Sequence, residues 1–257
     1  MLKKVTILNI RIDSLSTIDL LKKLDFTGGV VFTPNVDHLM KLQVDQDFYQ
    51  VYQQADYCIC DGQFVMLASK FLGNSIQEKI SGSDFLSVFY SYHALNPNIK
   101  IFLLGGVKGV AQKAQEIINN KVGRKIVSGS YSPPFNFEKS EQECFKIVEL
   151  INKSEATVLV VGLGAPKQEK WILKYKKYLS YIKIFLAVGA AIDFEAGYKK
   201  RAPKWLRNLW LETPYRLLCE PRRLWRRYLL DDPPFFWLIL KQKLNLYKNP
   251  FAVSNKL

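Results

Sequence analysis

Three short blocks, each directly after an apolar run, carry side chains suited to chemistry. Thr33-Pro34-Asn35 puts a hydroxyl and an amide behind Val30-Val31-Phe32, and Asp61-Gly62 puts a carboxylate behind Cys58-Ile59-Cys60. The third, Gly162-Leu163-Gly164-Ala165-Pro166-Lys167-Gln168-Glu169, is a glycine loop that opens into a helical pattern. In open α/β sheets ligands bind beyond the carboxyl ends of the strands, so residues in these places meet substrate first. A carboxylate there can act as a general base on a hydroxyl nucleophile. Backbone N–H groups after glycine turns can hold an anion at a helix N-terminus. Taken singly, each block also fits a plainer role: Thr33, Asn35 and Asp61 suit helix caps. Gly105-Gly106 and Gly162-x-Gly164 suit tight turns, and neither completes a dinucleotide or Walker fingerprint.

The elements that must position these residues alternate. Apolar runs rich in Val, Ile and Phe occur at Val5–Ile10, Val30–Phe32, Tyr57–Cys60, Ile101–Leu104, Lys125–Val127, Val158–Val161 and Ile182–Val188. Helical periodicity is clearest at Val110–Asn120, Glu141–Ile151 and Lys167–Leu179, and Ser132–Asn136 reads as a loop. Such alternation predicts an α/β body, a Rossmann-like, mostly parallel sheet with helices on both faces, over residues 1–196.

From Gly197 onward the pattern changes, and prolines punctuate short helical pieces expected over 204–211, Tyr215–Cys219, Arg222–Leu230 and Phe235–Leu246. Residues 197–257 are read as a basic, aromatic helical appendage that associates with membranes. They hold 14 Lys and Arg against 4 Asp and Glu, so they supply +10 of the formal +14. At 100° per residue, Arg222, Arg223, Arg226 and Arg227 share one arc of a helix and Leu224, Trp225, Tyr228 and Leu229 the other. Guanidinium forks suit phosphate oxygens and anionic surfaces. The apolar run Phe235–Leu240 is far below the roughly 20 residues that cross a bilayer, and is expected to lie at the interface.

The N-terminal residues lack a secretory pattern, so a cytoplasmic location is expected. Cys58 and Cys60 are too close in sequence to bridge easily, and with only His38 and His93 no paired ligand spacing for zinc exists. The cysteines are read as buried packing residues. No cofactor is expected.

Together, Thr33-x-Asn35, Asp61-Gly62, Gly82-Ser83-Asp84, Leu104-Gly105-Gly106, Gly162 to Glu169, Val188-Gly189, Asp193 with Ala196-Gly197, Arg201-Ala202-Pro203, and Glu220-Pro221-Arg222-Arg223-Leu224-x-Arg226-Arg227-Tyr228 form an ordered set. Over roughly Val5 to Leu230 this set resembles the WecG/TagA/CpsF glycosyltransferase family. Pro166-Lys167-Gln168-Glu169 and Arg201-Ala202-Pro203 are its most specific parts. The resemblance implies transfer of a sugar, N-acetylmannosamine, its uronic acid or a related hexose, from a UDP donor to a polyprenyl-diphosphate-linked sugar. The transfer would be inverting and metal-independent, run by an enzyme peripheral on the inner face of the cell membrane, and would feed surface polysaccharide or teichoic acid assembly. Two departures stand out. Lys79 occupies a place where the family often has Arg, and the stretch 210–214 reads Trp-Leu-Glu-Thr-Pro.

The resemblance places the catalytic carboxylate at Asp61, with Thr33 and Gln168 completing the catalytic set and Asn35 orienting a sugar. Gly105, Gly106, Gly162 and Gly164 would present N–H groups to the leaving diphosphate. Further substrate contacts are expected from Gly62, Gly82, Asp84, Lys167, Glu169, Asp193 and Arg201, and from Arg216, Arg222, Arg223 and Arg226 of the appendage. Asp231-Asp232 is read as a helix stop, because no Asp-x-Asp follows a strand. Two rival readings fit less well: a nucleic-acid binder using the basic helix, which leaves Phe235–Leu240 without a use, and a dinucleotide oxidoreductase, whose acidic ribose residue and third glycine are not placed as that fingerprint requires. No nucleic acid is therefore expected as partner, whereas an exposed aromatic tail leaves homo-oligomerisation open.

Overall fold

The computed structural model describes residues 3–203, 205–206 and 211–252. Six parallel strands form the central sheet in the order β4-β3-β8-β7-β5-β6. They are β3 Gly29–Phe32, β4 Tyr57–Cys58, β5 Ile101–Gly105, β6 Val127–Tyr131, β7 Val158–Gly162 and β8 Ile184–Ala187. The inner strands are apolar and buried on both faces, the composition expected of a parallel sheet covered on two sides. Side chains alternate between two cores. Phe32, Leu159, Val161 and Phe185 pack with helices α2 (Val36–Lys41), α3 (Gln46–Tyr52), α4 (Gln63–Phe71), α7 (Glu141–Lys153) and α8 (Lys167–Tyr175). Val31, Val158, Val160 and Leu186 pack with α1 (Thr17–Thr27), α5 (Gly82–Tyr92), α6 (Val110–Val122) and α9 (Ala191–Glu195). The connection after β7 leads toward β8, whereas that after β5 leads outward to β6, so a crevice opens between the ends of β5 and β7.

The run Val5–Ile10, expected as one strand, is instead a hairpin of β1 (Lys4–Ile7) and β2 (Ile10–Asp13) outside the main sheet. Leu8 turns the chain with φ 53°, and Asn9 donates from Nδ2 to the Leu42 carbonyl at 2.6 Å. Asn9, a turn-favouring residue inside the run, was the one local sign of that turn. Asp13 ties the hairpin to the sheet edge by accepting from the Cys58 N–H at 2.9 Å.

Beyond Gly197, the helix expected over 204–211 lies largely outside the described residues. The others are present: α10 (Glu212–Cys219), α11 (Pro221–Arg226) running into a π turn (Arg227–Asp231), and α12 (Pro234–Lys243). Helix α12 packs against the body and divides the run expected at a lipid interface. Phe235 and Ile239 enter the first core, while Phe236, Trp237 and Leu240 face outward. Gln242 bridges the β1–β2 turn, accepting from Leu8 N–H at 2.8 Å and donating to Thr6 O at 3.0 Å. Past the helix, Tyr247 OH lies 2.7 Å from Gln43 Oε1. Among the described residues no helix is long and apolar enough to cross a membrane.

Candidate active site

The carboxyl ends of β3, β4, β7 and β8 and the C-terminal helices enclose a polar cavity of about 270 Å³. Backbones come together closely beneath it. A Cβ on Gly105 (φ 147°) would lie 2.4 Å from the Gly162 carbonyl oxygen, so neighbouring strands β5 and β7 end in glycines that permit this approach. Gly82, at the start of α5, sits where a Cβ would meet Val188 Cα at 3.1 Å and Thr33 Oγ1 at 3.2 Å.

Asp61 lines this cavity. Its backbone N–H is held by the Pro34 carbonyl at 3.0 Å, which fixes it beside the Thr33–Asn35 block. Burial pushes its carboxyl up to about 6, offset by a Ser81 hydrogen bond and by Arg216 and Lys79, while Glu212 raises it further. A carboxylate with its pKa near neutrality accepts protons well, because Brønsted behaviour favours a base matched to the working pH. Thr33 is buried and its hydroxyl donates to Ala187 O at 3.0 Å, leaving oxygen lone pairs to accept. Asn35 caps α2, its Oδ1 accepting from His38 N–H at 3.2 Å and from Arg227 Nη2 at 3.3 Å; its amide NH₂ is left for other partners.

Gln168 lines the cavity, yet most of its amide is committed to the protein. Oε1 accepts from Gly164 N–H and Gly189 N–H, both at 3.2 Å, and Nε2 donates to Glu169 Oε1 at 2.7 Å. It therefore clamps the loops after β7 and β8 together, with one Nε2 hydrogen to spare. Glu169, expected at the substrate, is fully buried behind Gln168, and burial pushes it up to about 7. His38 lies 2.6 Å from Tyr52 OH and 3.9 Å from Glu169. Burial lowers His38 to about 3, so the imidazole is neutral and this last contact is no ion pair.

The appendage arginines divide. Arg216, Arg223 and Arg227 line the cavity, Arg223 with its side chain half exposed and paired with Glu220 at 2.6 Å, whereas Arg222 and Arg226 do not line it and are exposed. Arg227 is turned inward at the start of the π turn and lies 3.7 Å from Asp37 and 3.6 Å from Asp232. Burial pushes Asp37 up, but Arg227 and Lys41 outweigh it and leave that carboxyl lowered. Asp193 reaches the cavity wall paired with Lys199 at 2.8 Å. Arg201 pairs with Asp84 at 2.7 Å and donates to Ser83 Oγ at 3.0 Å, so these residues join the post-β8 segment to α5. Lys167 and Gly106 border a wider recess that adjoins the cavity through Gly162, Leu163, Asp193, Lys199 and Arg223, and there Lys167 pairs with Glu138 at 2.8 Å. Ser81, Lys199 and Glu212 complete the polar wall and went unread in the sequence. Ser81 directly precedes the Gly82-Ser83-Asp84 block, the one local signal that pointed to it.

Asp61 also borders a second cavity of about 280 Å³ on the appendage side, with Asn35, Ser81, Glu212, Arg216 and Arg227 common to both. Its far wall is apolar, made by Phe64, Pro233 and Phe236, and Gly62 lies along it with φ 112°. Among the described residues no three His, Cys, Asp or Glu side chains converge as a metal site.

A polar cavity beside one with an apolar wall can take a ligand that is polar at one end and apolar at the other. The chain is 28% identical over 218 residues to an N-acetylglucosaminyldiphosphoundecaprenol N-acetyl-beta-D-mannosaminyltransferase of Bacillus subtilis (strain 168), covering 85% of this chain and 81% of the relative. The protein of the same name in Staphylococcus aureus (strain MRSA252) is also 28% identical, over 85% of this chain and 82% of its own length. The family model described as "Glycosyl transferase WecG/TagA/CpsF family" matches residues 5–249, and the chain belongs to that glycosyltransferase family.

Proposed function

We propose that the protein transfers N-acetylmannosamine or a closely related hexose from a UDP donor to a sugar carried on a polyprenyl diphosphate. One observation carries this reading: Asp61 stands where a polar, arginine-lined cavity meets a second cavity with an apolar wall. A UDP-sugar suits the first and a lipid-linked acceptor the second, with the reacting hydroxyl brought to the carboxylate between them. Asp61 removes the proton as the acceptor oxygen attacks the anomeric carbon, and the bond to the diphosphate breaks on the opposite side. A single displacement of this kind inverts the anomeric centre. The negative charge that grows on the leaving diphosphate falls to Arg216 and Arg223, aided by Lys199, so no metal is needed in this scheme. Thr33 offers an acceptor to a sugar hydroxyl, and Asn35 and Gln168 each offer an amide N–H. The relatives' names specify a β-linked mannosaminyl product on a diphosphoundecaprenol acceptor, in keeping with this scheme. Docking of the appendage on the inner face of the cell membrane belongs to the same proposal, supported by outward-facing Trp225, Leu229, Phe236 and Trp237 beside Arg222 and Arg226.

The test is to incubate the protein with a panel of UDP-sugars and an undecaprenyl-diphosphate-GlcNAc analogue, with and without EDTA, and measure UDP release. Release that depends on acceptor, with one donor preferred and EDTA without effect, is the expected outcome. Hydrolysis that ignores the acceptor, or complete loss in EDTA, contradicts the scheme.

A further inference from the structure

We propose that the first isoprenoid units of the acceptor lie within the protein, in an apolar groove between α4 and α12; this rests on the function proposed above. The second cavity runs from Asp61, Arg216 and Arg227 at its polar end to Phe64, Pro233 and Phe236. There it meets a further recess of about 270 Å³ with only apolar side chains on its walls, among them Leu67, Phe71, Phe235, Ile239 and Leu240. Phe64 and Phe236 border both spaces, their rings edge to face with centroids 5.5 Å apart. The two cavities therefore adjoin at this aromatic pair, and the proposed track runs past it.

The sequence builds that track from helical spacing. Phe64, Leu67, Ala68 and Phe71 recur at three and four residues, so they share one face of α4. Phe236, Ile239 and Leu240 do the same on α12. Phe64 is 39%, Phe71 50%, Phe236 55% and Leu240 38% exposed. Large side chains left open in register on two facing helices mark a binding surface. The charge at its inner end selects the occupant. Arginines and a carboxylate at the head of an apolar groove match a diphosphate joined to a sugar on one side and a hydrocarbon chain on the other. A second protein copy would have no use for the arginine-lined end. The outer end carries Lys243, its Nζ 5.7 Å from the centre of the Phe71 ring, and there the chain leaves the protein.

The test uses GlcNAc-diphosphate acceptors with tails of one, two and three isoprene units, without vesicles or detergent, and the UDP-sugar that the panel identifies. In the wild type kcat/KM should rise about tenfold or more along the series, since each added unit buries several methylene equivalents. Phe71→Asp and Leu240→Asp should flatten that rise and leave the shortest acceptor within about twofold of wild type, with thermal melts confirming the fold. Equal kcat/KM for all three tails in the wild type overturns the groove while the transferase reading stands, as does a rise that survives both substitutions. A dimer in sedimentation that Leu240→Asp dissolves, with no change in the length dependence, assigns the groove to a second copy and also overturns the proposal. No UDP release with any tail removes the transferase reading and the groove with it.

Discussion

The sheet-end half of the cavity and its C-terminal half are held by different forces. Thr33 and Asp61 follow strand ends and Gln168 lies in the first turn of α8, and this half is locked by close glycine contacts and by hydrogen bonds to Ala187, Pro34, Gly164 and Gly189. Arg216, Arg223 and Arg227 come from short helices tied to the body mainly by ion pairs and the α12 anchor. A packed core fixes side chains within fractions of an ångström, whereas ion pairs weaken with salt and tolerate movement. The first half is preorganised; the second half closes over it. In the proposed scheme acid–base chemistry falls to the rigid half and charge neutralisation to the adjustable one.

The largest expected effect is on the rigid side. Asp61→Asn should cost about 10²–10⁴ in kcat, measured as UDP release. Burial holds this carboxyl near pH 6 against an ordinary 3.8, so the folded state binds the proton more tightly than the unfolded chain. Stability associated with it is thus present below pH 3.8 and lost as pH rises toward about 6. The Asn variant should accordingly melt at or above the wild-type temperature at pH 8. In the wild type kcat/KM should rise with pH up to about 6 and then level. A profile still climbing through pH 8 would point to another base.

On the adjustable side, Arg216→Ala should lower kcat/KM by about 10²-fold, while Arg222→Ala stays within about twofold. Equal losses would mean that the sequence's arginine stripe acts as a whole, and that the division between inward and outward arginines has no bearing on transfer.

Smaller again is the clamp at Gln168. Gln168→Glu sets two buried carboxylates side by side and should weaken donor KM about tenfold. The double swap Gln168→Glu with Glu169→Gln restores one donor and one charge, and should recover most of the loss. Recovery would assign Glu169 a positioning role; no recovery would tie it to some other task.

Arg227→Ala should give the smallest change, about 1–2 kcal/mol of stability, since Asp37 and Asp232 lose their shared partner. Added salt should narrow the difference in melting temperature between variant and wild type. A variant as stable as wild type at low salt would show that α12 alone fixes the appendage.

Much of this was legible in the chain. Parallel strands at Ile101–Gly105 and Val158–Gly162 announce themselves as apolar runs followed by glycines, and Asp61 and Thr33 were placed by the rule that polar residues after strands face ligand. The hairpin at Leu8 was signalled only by Asn9, a single turn-favouring residue in a run that otherwise has strand composition. Gln168 and Glu169, adjacent and both polar, read as two substrate contacts. Only the fold shows one at the cavity wall and the other behind it, because successive helical residues point about 100° apart.

Local chemistry in the sequence determined the element types, the sheet's parallel character and the concentration of charge after Gly197, since these depend on periodicity and composition alone. Tertiary structure decided which arginines face inward, that Phe235 and Ile239 serve as core, and that Asp61 lies between a polar and an apolar space. Each of those depends on contacts between segments about two hundred residues apart, such as Arg227 with Asn35. No local pattern encodes such meetings, because burial fixes them only once both partners are in place.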